Sequence, residues 1–76
     1  MPHVEIKCYP GRTEEQKKLC AEKVAQSLTD TLGCPPSSIT VAIKEIPQEQ
    51  WKAEVWDVSI APEADTLYKK PEYTCE

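Results

Sequence analysis

A long amphipathic segment between two short segments of strand character is the feature that most constrains the fold of this chain. Residues 13–32 place their apolar side chains within an arc of roughly 140° when each residue turns about 100° around a helix axis. These side chains are Cys20, Ala21, Val24, Ala25, Leu28 and Leu32. Thr13 and Gln16 have the spacing of a capping box, and Gly33 is suited to a left-handed C-terminal cap. The pattern predicts one helix over residues 13–32.

The segments on either side of this helix have the character of β-strands. Residues 3–9, HVEIKCY, put Val4 and Ile6 on one side and polar side chains on the other. Residues 39–46, ITVAIKEI, are rich in β-branched side chains and end at Pro47. A strand, a helix and a second strand predict a β-α-β unit, whose strands run parallel through a right-handed crossover.

The C-terminal part of the chain has a weaker pattern. Residues 47–51 favour a turn or a short 3₁₀ piece, and residues 54–60 alternate enough to predict a short strand. A last helix is predicted from residue 61 to about residue 70, because proline is tolerated in a first helical turn. We expect residues 1–76 to form one domain of α/β (α+β) class.

Two strands and one long helix cannot cover both faces of their own sheet, and a chain of 76 residues is short for a stable monomer. We therefore expect oligomerisation to complete the core, with a dimer as the smallest assembly. Disulfides and metal are less favoured remedies, because the four cysteines include no C-x-x-C pair and His3 is the only histidine.

The composition excludes several classes of partner. A net charge of −4 argues against a general nucleic-acid or anionic-membrane surface, which needs clustered basic residues. No apolar stretch approaches the roughly 20 residues of a membrane span, and the first residues lack the pattern of a signal peptide. A cytoplasmic protein with reduced thiols is the expectation.

Pro2 is the first candidate for chemistry, because it directly follows the initiator methionine. Removal of Met1 would make its nitrogen a secondary amine, and an α-amino group has a reference pKa near 8 that burial or a nearby cation lowers. Such a nitrogen can act as a general base near neutral pH. Taken alone the signal is weak, since a second-position proline commonly has no chemical role.

Arg12 and Trp51 are the other candidates. Arg12 lies in the turn between the first strand and the helix, where a guanidinium can hold a carboxylate in two parallel hydrogen bonds, or can simply be solvated. Trp51 follows the second strand and could wall an apolar pocket, or pack in a core or an interface. His3 is expected on the opposite face from Pro2 and Val4, because successive side chains of a strand alternate.

Several segments together are similar to the 4-oxalocrotonate tautomerase family: Met-Pro at the start, GRTEEQK at 11–17 opening the helix, and SSITVAIKEI at 37–46. The similarity runs from Pro2 to about Trp51, and the later residues resemble the longer tail of one branch of that family. The resemblance implies a β-α-β fold assembled as dimers or hexamers, which acts on enol and keto acids without metal or cofactor. It also implies that Pro2 is the general base, that Arg12 binds the substrate's carboxylate and that Trp51 is an aromatic pocket residue.

The resemblance also sets expectations for the substrate. The family's second arginine is replaced by Thr40, which disfavours a dicarboxylate such as 2-hydroxymuconate. We expect interconversion of the enol and keto forms of 2-hydroxy-dienoate or arylenolpyruvate-type acids by a homodimer, since the longer tail disfavours a hexamer. Two alternatives remain: a hydratase or dehalogenase of unsaturated acids that uses the same proline, and a non-catalytic dimeric ligand-binding module.

Overall fold

The computed structural model describes every residue from Met1 to Glu76, and the chain divides into two compact units. The first unit is Met1–Glu45 and the second is Ile46–Glu76. The first holds all of the β-structure and the long helix, and the second is built from short helical segments. The prediction of a single domain over residues 1–76 stays a prediction.

The first unit is a β-α-β unit. Strand β1 spans His3–Cys8, helix α1 spans Glu14–Leu32 and strand β2 spans Thr40–Glu45. A single 3₁₀ turn, Pro36–Ser38, connects α1 to β2. The two strands pair in parallel as a two-stranded sheet, so the predicted architecture is confirmed with strand ends within one residue of those expected.

Helix α1 begins and ends where its capping residues lie. The Thr13 hydroxyl accepts a hydrogen bond from the Gln16 amide at 3.1 Å, and the Gln16 side chain accepts one from the Thr13 amide at 2.9 Å. This reciprocal pair satisfies two of the amides that a helix start leaves without partners. At the other end Gly33 adopts φ 72° and donates its amide to the Thr29 carbonyl at 3.1 Å. A left-handed residue at that position favours glycine, and the predicted cap is confirmed.

The register of the two strands gives the sheet two unlike faces. His3 lies opposite Thr40, and Ile6 lies opposite Ile43, so partner residues share a face. The face that carries Ile6 and Ile43 lines a depression together with Cys20 of α1. The other face, called here the polar sheet face, carries His3, Glu5, Lys7, Thr40, Ala42 and Lys44.

The chain by itself buries very little apolar surface. Val55 is the only buried hydrophobic residue, with 5% of its surface exposed, and it belongs to the second unit. On α1, Leu19 and Leu32 remain 55% and 67% exposed. A core of this size is small for a folded domain, which is consistent with the expectation that further copies of the chain cover these side chains.

The predicted strand over residues 54–60 is wrong, because Lys52–Ile60 forms a π-helix. Its less exposed side chains recur every four to five residues, at Val55 and Trp56 and again at Ser59 and Ile60. That spacing fits a helix with i to i+5 hydrogen bonds, and the Ala61 amide indeed donates to the Trp56 carbonyl. The sequence of residues 54–60 is compatible with the two-residue period of a strand and with the four- to five-residue period of a π-helix. The prediction relied on the two-residue period, which was wrong.

Of the two other C-terminal predictions, one is confirmed and one is wrong in part. The short 3₁₀ piece is confirmed as Gln48–Gln50. The last helix begins at residue 61 as predicted, but it is a 3₁₀ segment, Ala61–Thr66, with a kink at Glu63, so its predicted continuation to about residue 70 is wrong. Leu67 is extended, and the Lys70 ammonium donates to the Ala64 carbonyl at 2.6 Å, so a side chain satisfies an acceptor that a longer helix would have used.

The capping box of α1 gives a direct test of this account. Replacing Thr13→Ala removes the hydroxyl that accepts from the Gln16 amide, and we expect the free energy of unfolding to fall by about 1 kcal/mol. Thr13→Ser keeps the hydroxyl and is expected to unfold close to the wild type. Urea unfolding at one fixed protein concentration measures both variants, and equal losses for alanine and serine would contradict a capping role.

Candidate active site

Pro2 lies directly before β1 and is held at its start by the neighbouring strand. The Thr40 amide donates to the Pro2 carbonyl at 3.2 Å, which continues the hydrogen bonds of the sheet by one residue. The Pro2 side chain is partly buried, whereas Met1 is 96% exposed. The residue before Pro2 is therefore accessible, while Pro2 itself has a fixed place at one end of the sheet.

Arg12 lies at the other end of β1. Its guanidinium donates from Nη1 to the Tyr9 carbonyl at 3.0 Å, just beyond the last residue of the strand. The side chain lines a depression of about 170 Å³ between the sheet and α1. The other lining residues are Ile6, Cys8, Gln16, Lys17, Cys20 and Ile43. An apolar floor with a guanidinium at its edge can hold a carboxylate whose remaining atoms are apolar.

The first unit does not bring Pro2 and Arg12 together. Strand β1 has six residues, and an extended chain rises about 3.3 Å per residue, so the strand separates its two ends by about 17 to 20 Å. Arg12 is bonded to the carbonyl just after that strand, and Pro2 precedes it. A small acid cannot span this distance, so these two residues of one chain cannot contact the same substrate.

Lys17 lines the same depression, but two carboxylates compensate its charge. Its ammonium lies 2.8 Å from a Glu14 oxygen and 3.2 Å from a Glu45 oxygen. The hydrogen bond that Lys17 donates to Glu14, and then the one it donates to Glu45, raise the pKa of Lys17, because both carboxylates favour the charged amine. Arg12 instead donates to a neutral carbonyl, so its charge is the one better suited to attract an anion.

Trp51 lies in the second unit, immediately before the π-helix. Its indole Nε1 donates to the Tyr73 hydroxyl at 3.3 Å, and the Tyr73 ring lies 5.2 Å from the ring of Trp56 at 50°. The C-terminal segment thereby orients Trp51 through a hydrogen bond and an aromatic contact. Its predicted role as an aromatic pocket residue stays a prediction.

His3 and Thr40 form a contact that the sequence did not predict. His3 lies on the polar sheet face, and its Nδ1 is 2.6 Å from the Thr40 hydroxyl. The contact arises from the register of the two strands, which places the two residues opposite each other. Strand patterns alone fixed the faces of each strand but not the residue that faces His3.

Ion pairs occupy the rest of the polar sheet face. A Glu5 oxygen lies 3.1 Å from the Lys44 ammonium, and the other lies 3.7 Å from that of Lys7. The pKa of Glu5 is lowered, mainly by the hydrogen bond and charge of Lys44, with smaller effects from Lys7 and His3. A face with this much charge is suited to contact with water.

The structure offers no cluster suited to metal and no helix suited to a bilayer. No group of three or more histidine, cysteine, aspartate or glutamate side chains could hold a metal ion. None of its helices combines the length and the apolar character needed to span a membrane. All four cysteines are free thiols.

Comparison with known proteins decides the family. Residues 2–58 match the family described as "Tautomerase enzyme". The chain belongs to the tautomerase family. Three curated relatives are each named "Tautomerase PptA": that of Enterobacter sp. (strain 638) is 44% identical, that of Pectobacterium atrosepticum is 45% identical and that of Escherichia coli (strain SMS-3-5 / SECEC) is 42% identical. Each match covers 97% of this chain and 99% of the relative. This similarity supports a tautomerase, which is an isomerase-type enzyme.

Solved structures agree with the fold of this family. YwhB, described as a homologue of 4-oxalocrotonate tautomerase, is 38% identical with a TM-score of 0.60, over 62% of this chain and 77% of that chain. The 4-oxalocrotonate tautomerase isozymes from Methylibium petroleiphilum give 40% identity and a TM-score of 0.63, over 66% and 81% of the two chains. The β-α-β tautomerase fold predicted from the sequence is thereby confirmed.

The ion pair of Glu5 with Lys44 predicts a pH dependence. Because the folded pKa of Glu5 is lowered, its contribution to stability is present above the unfolded pKa and is lost as pH falls through the folded pKa. Replacing Lys44→Gln removes the largest cause, so we expect the Glu5 pKa to rise toward the ordinary value of a glutamate carboxyl. A carbon-detected NMR titration of the Glu5 carboxyl measures this shift. Lys23→Gln on α1, which is not among the causes of the shift, is the control, and equal Glu5 pKa values in the two variants would contradict the assignment.

Proposed function

We propose that the chain is a cofactor-independent tautomerase that interconverts the enol and keto forms of 2-hydroxy-dienoate or arylenolpyruvate-type acids. The observation that carries the proposal is the fixed position of Pro2 at the start of β1, with an exposed Met1 in front of it. Membership of the tautomerase family and the similarity to tautomerases named PptA support the same reaction type. In this proposal residues 1–76 act as one tautomerase-like domain, and the free thiols are consistent with a reducing cytoplasm.

In the proposed mechanism Pro2 moves the proton. Once Met1 is removed, the Pro2 nitrogen is a secondary amine with a lone pair, and it takes the proton of the enol hydroxyl. The C–O bond then becomes a carbonyl as the electrons of the C=C bond move to its far carbon, and that carbon takes the same proton back from the Pro2 nitrogen. The reaction is a net transfer of hydrogen from oxygen to carbon, and it needs no further reactant.

Arg12 would hold the substrate's carboxylate, and in this proposal it does so from a second copy of the chain. The length of β1 between Pro2 and Arg12 of the same chain supports a site whose base and cation come from different copies. A homodimer is the smallest assembly that supplies both. The apolar floor beside Arg12 suits the hydrocarbon or aromatic part of the substrate.

Trp51 and Thr40 are proposed to shape the choice of substrate. Trp51 would wall the site, exclude water and so strengthen the charge interactions inside it. Thr40 is neutral, and its hydroxyl is already bonded to His3, so it offers no charge to a second carboxylate. The proposal therefore favours substrates with one carboxylate over dicarboxylates.

Replacing Pro2→Ala tests the base. Alanine leaves a primary amine of different geometry, so we expect ketonisation of phenylenolpyruvate, followed by its ultraviolet absorbance, to slow by about 100-fold. Intact mass first establishes that Met1 has been removed from both proteins, because an acylated nitrogen has no basic lone pair. Pro36→Ala, in the 3₁₀ turn, is the matched control and should retain activity. Unchanged turnover of the Pro2 variant would refute the proposal.

A mixing experiment tests whether two copies share each site. Pro2→Ala and Arg12→Ala are each expected to be nearly inactive alone. In a dimer made of one copy of each, one site carries both changes and the other carries neither, so an equal mixture should recover about a quarter of the wild-type activity. Native mass spectrometry confirms that mixed assemblies form. Mixed assemblies without recovered activity would contradict a shared site.

A further inference from the structure

Thr40 contacts the first residues of β1 in two different ways. Its amide donates to the Pro2 carbonyl at 3.2 Å, and its hydroxyl lies 2.6 Å from Nδ1 of His3. Thr40 is also the first residue of β2 and the register partner of His3. The end of the sheet nearest to Pro2 is therefore held by one residue through both its backbone and its side chain.

We propose that the hydrogen bond between the Thr40 hydroxyl and the His3 imidazole positions the reactive nitrogen of Pro2, which makes His3 and Thr40 positioning residues for the reaction. The inference rests on the proposed function, because it assigns the pair a role relative to the Pro2 base. It assigns no contact between either residue and the substrate.

Pro2 needs contacts that position it, because it lies at a chain end. The first residues of a chain are poorly ordered unless other contacts hold them, and a reacting group must be held within about 0.5 Å of its productive geometry. Once Met1 is removed, Pro2 is the terminal residue, and its backbone contact to β2 is the hydrogen bond that its carbonyl accepts from the Thr40 amide. The hydrogen bond from the amide of residue 40 to the Pro2 carbonyl would form with almost any residue at position 40. Only the hydrogen bond between the side chain of residue 40 and His3 depends on which residue is present.

The neighbouring charges support positioning over proton transfer as the role of His3. The charged residues on its face are Glu5 and Lys7 on β1 and Lys44 on β2, while α1 packs against the opposite face. Glu5 is paired with both lysines, and the hydrogen bond of His3 is made with the neutral hydroxyl of Thr40. A hydroxyl can both donate and accept, so this bond can form with a neutral imidazole and with an imidazolium.

Paired substitutions at position 40 test the inference. Thr40→Val keeps the shape and loses the hydroxyl, and we expect kcat to fall about 3- to 10-fold with KM nearly unchanged. Thr40→Ser keeps the hydroxyl and should restore kcat. The pH profile of kcat should be lowered without a change of shape, because a positioning residue does not itself exchange a proton with the substrate.

The same logic applies at position 3. His3→Leu should lose as much kcat as Thr40→Val, whereas His3→Asn, which places a polar atom near the position of Nδ1, should retain most of it. The double variant His3→Leu with Thr40→Val should lose little more than either single variant, because both remove one hydrogen bond. Additive losses, a dominant change in KM, or a serine variant as slow as the valine variant would overturn the inference.

A measurement without substrate separates this inference from the proposed function. With ¹⁵N-labelled proline, the Pro2 nitrogen should give one sharp signal in the wild type and in Thr40→Ser, but a broadened or divided signal in Thr40→Val. If Pro2→Ala keeps full turnover, the proposed function fails while this signal still reports on positioning. If Thr40→Val does not fold, Thr40→Ala and His3→Leu replace it in the same comparison. An unchanged Pro2 signal in the folded variants would overturn the inference.

Discussion

The parallel pairing of β1 with β2 in a single register is the interaction on which the rest of the first unit depends. It puts Ile6 beside Ile43 on the side of α1 and leaves the ion pairs on the other side. A slip of one residue would exchange the two faces of one strand and bring apolar side chains into contact with water. The same register sets Thr40 opposite His3 and next to Pro2, so the packing of the sheet and the position of the proposed base have one origin.

The sequence predicted the first unit well because its signals are local. The capping box at Thr13 and the glycine at position 33 each act through hydrogen bonds within a few residues, so the helix limits could be read directly. The first strand was predicted from its alternation of apolar and polar side chains, and the second from its β-branched composition and from Pro47 at its end. In the second unit the same method failed for residues 54–60, because nothing local distinguishes an alternating pattern over seven residues from a π-helix whose less exposed side chains recur every four to five residues.

The candidate site was less predictable than the fold, because it depends on which residues meet. Pro2 and Arg12 were both predicted as residues of the site, without a prediction of whether one chain supplies both. The extended strand between them places them at opposite ends. His3 and Thr40, in contrast, are distant in the sequence but in contact in the structure. The strand register that brings them together is not specified by the strand patterns.

The small core and the separation of Pro2 from Arg12 both indicate that a single chain is incomplete. A chain that buries only Val55 has little apolar contact to hold it folded, and a chain that separates Pro2 from Arg12 cannot complete the proposed site. In the proposed homodimer, contact between copies would remedy both, because it would cover exposed apolar residues of α1 such as Leu19 and supply a second Arg12 to the proposed site. Stability and activity should therefore depend on the same assembly, whereas the hydrogen bond of His3 with Thr40 lies within one chain and acts only on the precision of the site.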